Sequence, residues 1–252
     1  MSLILYGPSG NGKTSLAGNF PRCKFLCDSQ ERGITFLSRK GLIPEPVSID
    51  NSFDADSPKS WKRLLEEVWA TVTCNETETL VLESLTGIEN ICFLSHCEDK
   101  FRGNFDGVQG GGGFFEYSRG PKSAARLEIP KLITALDAVM QSGKTVILTA
   151  HSNVKEETDP QGVSVLKYMP YADKDTWARF HRWASAVFFL GRKIQQDKEK
   201  KGLKGVAKED FERILFTEGT PYCEAKNWHG IHGVVPMGTS GAEAYSNLME
   251  KF

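Results

Sequence analysis

The stretch GPSGNGKTSL, residues 7–16, constrains what this chain can fold into more than any other. It fits the pattern G-x-x-x-x-G-K-[ST], with Gly7, Gly12, Lys13 and Thr14 on the fixed positions. Glycines let successive backbone N–H groups turn inward, and a ring of inward N–H groups binds phosphate oxygens. The apolar run LILY precedes the motif and KTSLAGNF follows as a helix start, so the setting is strand, loop, helix. The expected nucleotide-binding residues are Gly7, Pro8, Ser9, Gly10, Asn11, Gly12, Lys13, Thr14 and Ser15. Lys13 is placed on the β/γ-phosphates and Thr14 on Mg²⁺, with the positive end of the following helix facing the anion.

Composition agrees with a compact unit. The chain has 252 residues, 40% hydrophobic and 25% charged, enough for one α/β domain spanning 1–252 with a sizeable core. A net charge of −1 means that any nucleic-acid binding must come from local patches. No run approaches the length of a membrane span and no signal-type segment is visible, so the expected location is cytoplasmic, with no membrane partner. The six cysteines include no C-x-x-C pair and read as reduced thiols. Cys223, His229 and His232 lack a fourth partner at zinc-site spacing.

The order of elements narrows the class. CKFLC at residues 23–27 reads as a buried strand, followed by Asp28 and the turn-like SQERG. An amphipathic helix is expected over residues 58–73, with Ser57 as N-cap. Its Trp61, Leu64, Leu65, Val68, Trp69 and Val72 share one stripe, which assigns both tryptophans to the core. TLVLES at residues 79–84 is an apolar strand ending in Glu83, at the place where P-loop enzymes keep the acid that holds the Mg²⁺ hydration shell. Glutamate replaces the usual aspartate there. A helix is expected over residues 86–98, and another over 122–142 with a kink or late start at Pro130. KTVILTAHS then forms a buried strand ending at His151, which could sense a γ-phosphate.

Two segments read as long loops. Residues 101–122 contain four consecutive glycines, and combine Phe105, Phe114, Phe115 and Tyr117 with Arg102, Arg119 and Lys122. Rings interleaved with cations suit single-stranded nucleic acid, whose bases stack while its phosphates follow the charges; a small satellite core of aromatics is an equal reading. Residues 153–174 carry Lys155, Lys167, Tyr168, Tyr171 and Lys174. A helix over 175–183, a buried strand ASAVFFLGR, a basic tract from Arg192 to Lys208 read as a solvated hairpin tip, further strands and a helix within 240–252 complete the chain.

These motifs, in this order, resemble the RecA-type ATPase core: GPSGNGKTSL, CDSQERG, TLVLESLTGIEN, VILTAHS, WASAVFFLGR and EAKNWHG. The nearest likeness is to the short, core-only recombinase and single-strand annealing ATPases of bacteriophages, also described as phage nucleotide-binding or AAA-domain proteins. The resemblance implies an α/β P-loop NTPase core, with a mostly parallel central sheet flanked by helices and antiparallel C-terminal strands. It implies ATP and Mg²⁺ as cofactors, single-stranded DNA as partner, a head-to-tail homo-oligomer and a cooperating single-strand-binding protein. For a phage-encoded chain the location would be the bacterial host cytoplasm. By position, the resemblance puts His151 between Lys13 and Glu83, and makes Glu31 the water-activating carboxylate, with Asp28 and Gln30 as alternatives. It assigns metal binding to Thr14 and Glu83, and makes Lys226 a cation reaching a neighbour's nucleotide. DNA contacts fall to Arg102, Phe114, Phe115, Tyr117, Arg119 and Lys122 in one loop and to Lys155, Lys167, Tyr168 and Lys174 in the other.

Three rivals share the phosphate loop. An AAA+ motor or helicase loader usually has a second acid after the strand-end carboxylate, where this chain has Ser84. A kinase brings an arginine-rich lid, which the glycine-rich loops here do not resemble. A non-hydrolysing ATP switch remains compatible with glutamate at position 83.

Overall fold

The computed structural model describes residues 1–51, 57–158, 162, 164–193 and 212–252. The chain enters on β1 (Ser2–Tyr6), whose five residues are all buried, and turns through the phosphate loop into α1 (Lys13–Ala17). Then come β2 (Cys23–Asp28), α2 (Arg32–Arg39), β3 (Val47–Ile49) and α3 (Ser57–Thr73). The strand β4 (Thr79–Glu83) leads to α4 (Leu85–Phe101), and a single 3₁₀ turn precedes α5 (Arg119–Leu127). α6 (Ile129–Gln141) runs into β5 (Thr145–Ala150). β6 (Ser152–Thr158) and β7 (Ser164–Pro170) follow, then α7 (Lys174–Trp183) and β8 (Ala186–Arg192). β9 (Arg213–Phe216), β10 (Lys226–Asn227), β11 (Val234–Pro236) and α8 (Gly241–Met249) finish the fold.

The central sheet has the order β11-β9-β8-β1-β5-β4-β2-β3, with β10 also on β8. The strands from β8 to β3 are parallel, and β9, β10 and β11 are antiparallel additions at one side. Parallel strands covered on both faces read as continuous apolar runs, which is how β1, β4 and β5 appear in the sequence. Alternate residues feed opposite layers. Ile4 and Tyr6 join the layer under α3–α7, while Leu3 and Leu5 pack against Leu16 of α1 and Leu248 of α8.

Several expectations change. The segment 153–174 is not a loop: β6 and β7 form an antiparallel hairpin, Ser152 opposite Pro170 through Thr158 opposite Ser164. Charged residues on both faces hid its period-2 pattern. The helix expected over 122–142 is two, meeting at Glu128, with Pro130 in the first turn of the second, where its missing N–H is not needed. Trp61 is 4% exposed and core, as its spacing implies, but Trp69 is 48% exposed at the margin of the stripe. The basic tract lies, from residue 194 onward, outside the described residues.

The glycine-rich segment is also ordered differently. Phe114 is fully buried among Phe93, Phe101, Phe105 and Phe115, at ring-centroid distances of 5.0–5.4 Å. Gly120 is what admits it, since a Cβ there would lie 2.2 Å from the ring. Phe114 is therefore not a stacking platform for a base. The satellite-core reading holds for this ring, whereas Phe115 and Tyr117 are 49% and 64% exposed.

Candidate nucleotide site

The carboxyl ends of the parallel strands meet at one edge of the sheet, the crevice in which open α/β sheets bind ligands. The phosphate loop follows β1, Glu31 follows β2, Glu83 ends β4 and His151 follows β5. β5 pairs with β1 on one side and β4 on the other, so His151 stands between the loop and Glu83. A pocket of about 390 Å³ is lined by Ser9, Gly10, Gly12, Lys13, Thr14, Ser15, Glu31, Glu83 and His151. Gly33, Ile34, Phe36, Leu37 and Arg213 line it as well.

The loop is shaped by close approaches. A Cβ on Gly7 would lie 2.3 Å from the Leu190 carbonyl oxygen of β8, so only glycine fits where the chain leaves β1. Gly12 has φ +94°, the left-handed region, and caps α1. Asn11 fastens the loop to the neighbouring strand, its Nδ2 donating to Leu190 O at 3.0 Å. Pro8 contributes its carbonyl, which with that of Gly7 accepts from Lys13 Nζ at 3.0 and 2.8 Å. The lysine is thus folded onto its own loop, 6% exposed, and burial lowers its pKa. An ammonium held by neutral carbonyls in a buried cradle is poised to exchange them for phosphate oxygens.

On the other wall, Thr14 Oγ1 donates to Glu83 Oε1 at 2.9 Å. Glu83 Oε2 is buried without a hydrogen-bond partner, and burial pushes the carboxyl up to about 7. This pair fits a hydrated Mg²⁺: a hydroxyl and a carboxylate converge, and one oxygen awaits a donor. No group of three or more His, Cys, Asp or Glu side chains that could hold a metal occurs among the described residues.

Glu31 is held from two sides. Ser84 Oγ donates to its Oε1 at 2.7 Å and His151 Nε2 lies 3.1 Å from the same oxygen. The histidine bond, with help from Ser84, lowers the Glu31 pKa and keeps a carboxylate facing the pocket. The alternatives point elsewhere. Asp28 is 5% exposed and spent on Gln30 N and Asn51 Nδ2, at 2.8 and 2.7 Å, while Gln30 Nε2 donates to Asn51 O.

Lys226 does not line its own chain's pocket. Its Nζ donates to the carbonyls of His181 and Arg182 at the C-terminal end of α7, at 2.7 and 3.3 Å, and lies 4.0 Å from the Trp228 ring centre. The residues assigned to DNA fall on several separate elements. Arg102 is the exposed left-handed cap of α4, and Arg119 pairs loosely with Glu116 at 3.7 Å. Lys122 joins Arg179 and Arg182 around a second groove of about 780 Å³ beside α5, α6 and α7. On the hairpin Lys155 is exposed, Lys167 pairs with Glu157 at 3.1 Å, and Tyr168 stacks on Phe189 at 5.0 Å, leaving 37% of it exposed. Lys174 is the exposed first residue of α7.

Arg213 and the α2 residues Ile34, Phe36 and Leu37 were not foreseen. Only the phosphate loop has a local signature; these residues reach the pocket through sheet order and helix packing.

A parallel sheet with this loop at its carboxyl edge, the hydrogen-bonded Thr14–Glu83 pair on its far wall and the Glu31 carboxylate beside it are the features of a P-loop NTPase. A family model described as an AAA domain matches residues 1–229, and the chain belongs to that family. No curated protein matches it. Among the described residues no helix is long and apolar enough to cross a membrane.

Proposed function

We propose that this chain is a DNA-stimulated ATPase that assembles head to tail on single-stranded DNA, and promotes annealing or strand exchange in phage recombination. In this reading residues 1–252 act as one ATPase domain. ATP lies on residues 7–15, with Lys13 leaving the Gly7 and Pro8 carbonyls for the β/γ-phosphates. Thr14 and Glu83 would hold Mg²⁺, which supplies charge neutralisation on the phosphates when bound. Glu31 orients the attacking water and takes its proton, as a carboxylate of lowered pKa kept on station by Ser84 and His151 can.

One observation carries the link to DNA. His151 touches Glu31 and also roots the β6–β7 hairpin, since Tyr171 N, just past β7, donates to His151 O at 2.8 Å. Thr86 of α4 fixes the same root by donating to Tyr171 O at 2.7 Å. A two-stranded ribbon is marginal alone, and this one presents Val154, Leu166 and Tyr168, 49%, 65% and 37% exposed, on one face. Nucleic acid bound along it would bear on the residue that positions the water. Lys226 would leave α7 to meet a neighbour's γ-phosphate, so that ATP also favours assembly.

The test is steady-state ATP hydrolysis with and without single-stranded DNA, at two salt concentrations. Stimulation that fades as salt rises is the expected result. A turnover rate indifferent to DNA would refute the coupling and leave a nucleotide switch or a different ATPase.

A further inference from the structure

Arg213 belongs to β9, two strands from β1, and in sequence it is an unremarkable strand residue. Its side chain nevertheless reaches the phosphate loop. Its Nη1 lies 3.0 Å from where a Cβ on Gly12 would stand, and Nη2 donates to Gly238 O at 3.0 Å. No carboxylate forms an ion pair with it among the described residues. Near it, Arg192, its partner across the β8–β9 ladder, turns Nε toward Asn11 Oδ1 at 3.4 Å. The Glu243 carboxylate feels the charge of Arg213 through space but is bonded to Thr239 N and Oγ1, so a half-buried guanidinium whose hydrogen bond goes to a neutral carbonyl lies against a loop whose N–H groups bind phosphate, with donors left for an anion.

Sheet order says which part of the anion it meets. The groups assigned to water and metal, Glu31, Glu83 and His151, belong to β2, β4 and β5, all on one flank of β1. Arg213 comes from the opposite flank. In-line attack on a γ-phosphate puts water on the carboxylate side and the departing diphosphate on the other.

We propose that Arg213 is a nucleotide-binding residue acting within its own subunit, whose guanidinium holds the α/β-diphosphate of the nucleotide. This rests on the assignment of the P-loop pocket to a nucleoside triphosphate. Because the contact is with the part shared by substrate and product, it strengthens ADP and ATP binding together. Gly12 then has two duties: it permits the left-handed turn, and it leaves room for the guanidinium, which any side chain there would meet.

The experiment is equilibrium binding of ADP, ATP and AMP to the full-length wild type and to Arg213→Gln, Arg213→Lys and Lys13→Ala, with thermal unfolding of each in the absence of nucleotide. Glutamine keeps an amide donor for Gly238 O and removes the charge and the fork, so it separates anion binding from local support. Arg213→Gln should weaken ADP and ATP alike by about ten- to a hundredfold, the worth of one charge-assisted contact, leave AMP less affected, and be partly rescued by Arg213→Lys. Unchanged ADP affinity in Arg213→Gln, while Lys13→Ala loses binding, overturns the inference and spares the pocket. Loss confined to ATP moves the contact to the γ-phosphate and overturns it as well. Undiminished binding in Lys13→Ala overturns the pocket assignment on which both stand.

Discussion

Replacing Glu83 by glutamine tests the strand-end carboxylate without reference to any ligand. The residue is 5% exposed, one carboxyl oxygen is bonded to Thr14 and the other is without a donor, and burial raises its pKa from 4.5 to about 7. A folded-state pKa above the unfolded one means that the native protein holds its proton longer as pH rises. The resulting stabilisation is complete below the unfolded value, declines from about pH 4.5, and is gone above about pH 7. The shift corresponds to about 3 kcal/mol between the ends of this window. Glu89 is also pushed to about 7 by burial, Asp28 is raised and Glu31 lowered, so the wild-type slope mixes several carboxyls. Subtracting the Glu83→Gln profile isolates Glu83, because glutamine keeps an oxygen for Thr14 and cannot ionise. Denaturant unfolding of nucleotide-free protein at pH 5 and pH 8 is the assay. The variant should gain stability relative to wild type by up to about 3 kcal/mol on going to the higher pH. A stability difference that stays constant across the range would falsify the claim that Glu83 is held in a dry, underbonded position.

Glu31→Gln should lower ATP turnover by about 10²- to 10⁴-fold with nucleotide affinity preserved, read by single-turnover hydrolysis beside equilibrium binding; full turnover would move the water to another residue. Phe114→Ala should cost about 3–5 kcal/mol of stability in denaturant melts. Tyr117→Ala should change stability by under about 0.5 kcal/mol and Phe115→Ala, which loses its contacts with Phe105 and Phe114, should cost about 1 kcal/mol, while each should change single-strand affinity by about 1–3 kcal/mol, so equal affinity to wild type would remove both rings from the DNA surface. Lys226→Ala frees two carbonyls at the end of α7 and should cost about 1 kcal/mol of stability. If ATP-dependent assembly by sizing chromatography is unchanged in that variant, the lysine is an internal cap alone.

The parallel core was legible because its strands are dry on both faces, so β1, β4 and β5 are unbroken apolar runs that need no partner to be recognised. The phosphate loop was legible because its glycines answer to local geometry. What failed depends on distant contacts. Phe114 and Phe115 are adjacent and chemically equal, and only Gly120 and the surrounding rings decide which one is buried. The sequence offers Glu31 with Asp28 as an alternative, and that only Glu31 faces the pocket follows from Gln30 and Asn51 occupying the aspartate. Arg213 reaches the pocket because of how β9 pairs with β8, a fact no neighbouring residue encodes.

The glycine run from Gly110 to Gly113 has a consequence beyond its shape. Glu116 accepts from Gly110 N and Gly112 N at 2.5 and 2.8 Å, and Phe114 N donates to Asn104 O at 2.8 Å, so the segment is tied at three points to its own chain. Unrestrained, four glycines would carry the largest backbone entropy of any residues, and a ligand ordering them would lose that much affinity. Folding has already met this cost, and Phe115 and Tyr117 are presented on a segment that need not freeze again. The same carboxylate occupies the two amides that would otherwise invite a phosphate, leaving the rings and nearby cations, rather than the glycine backbone, as the exposed surface of the segment.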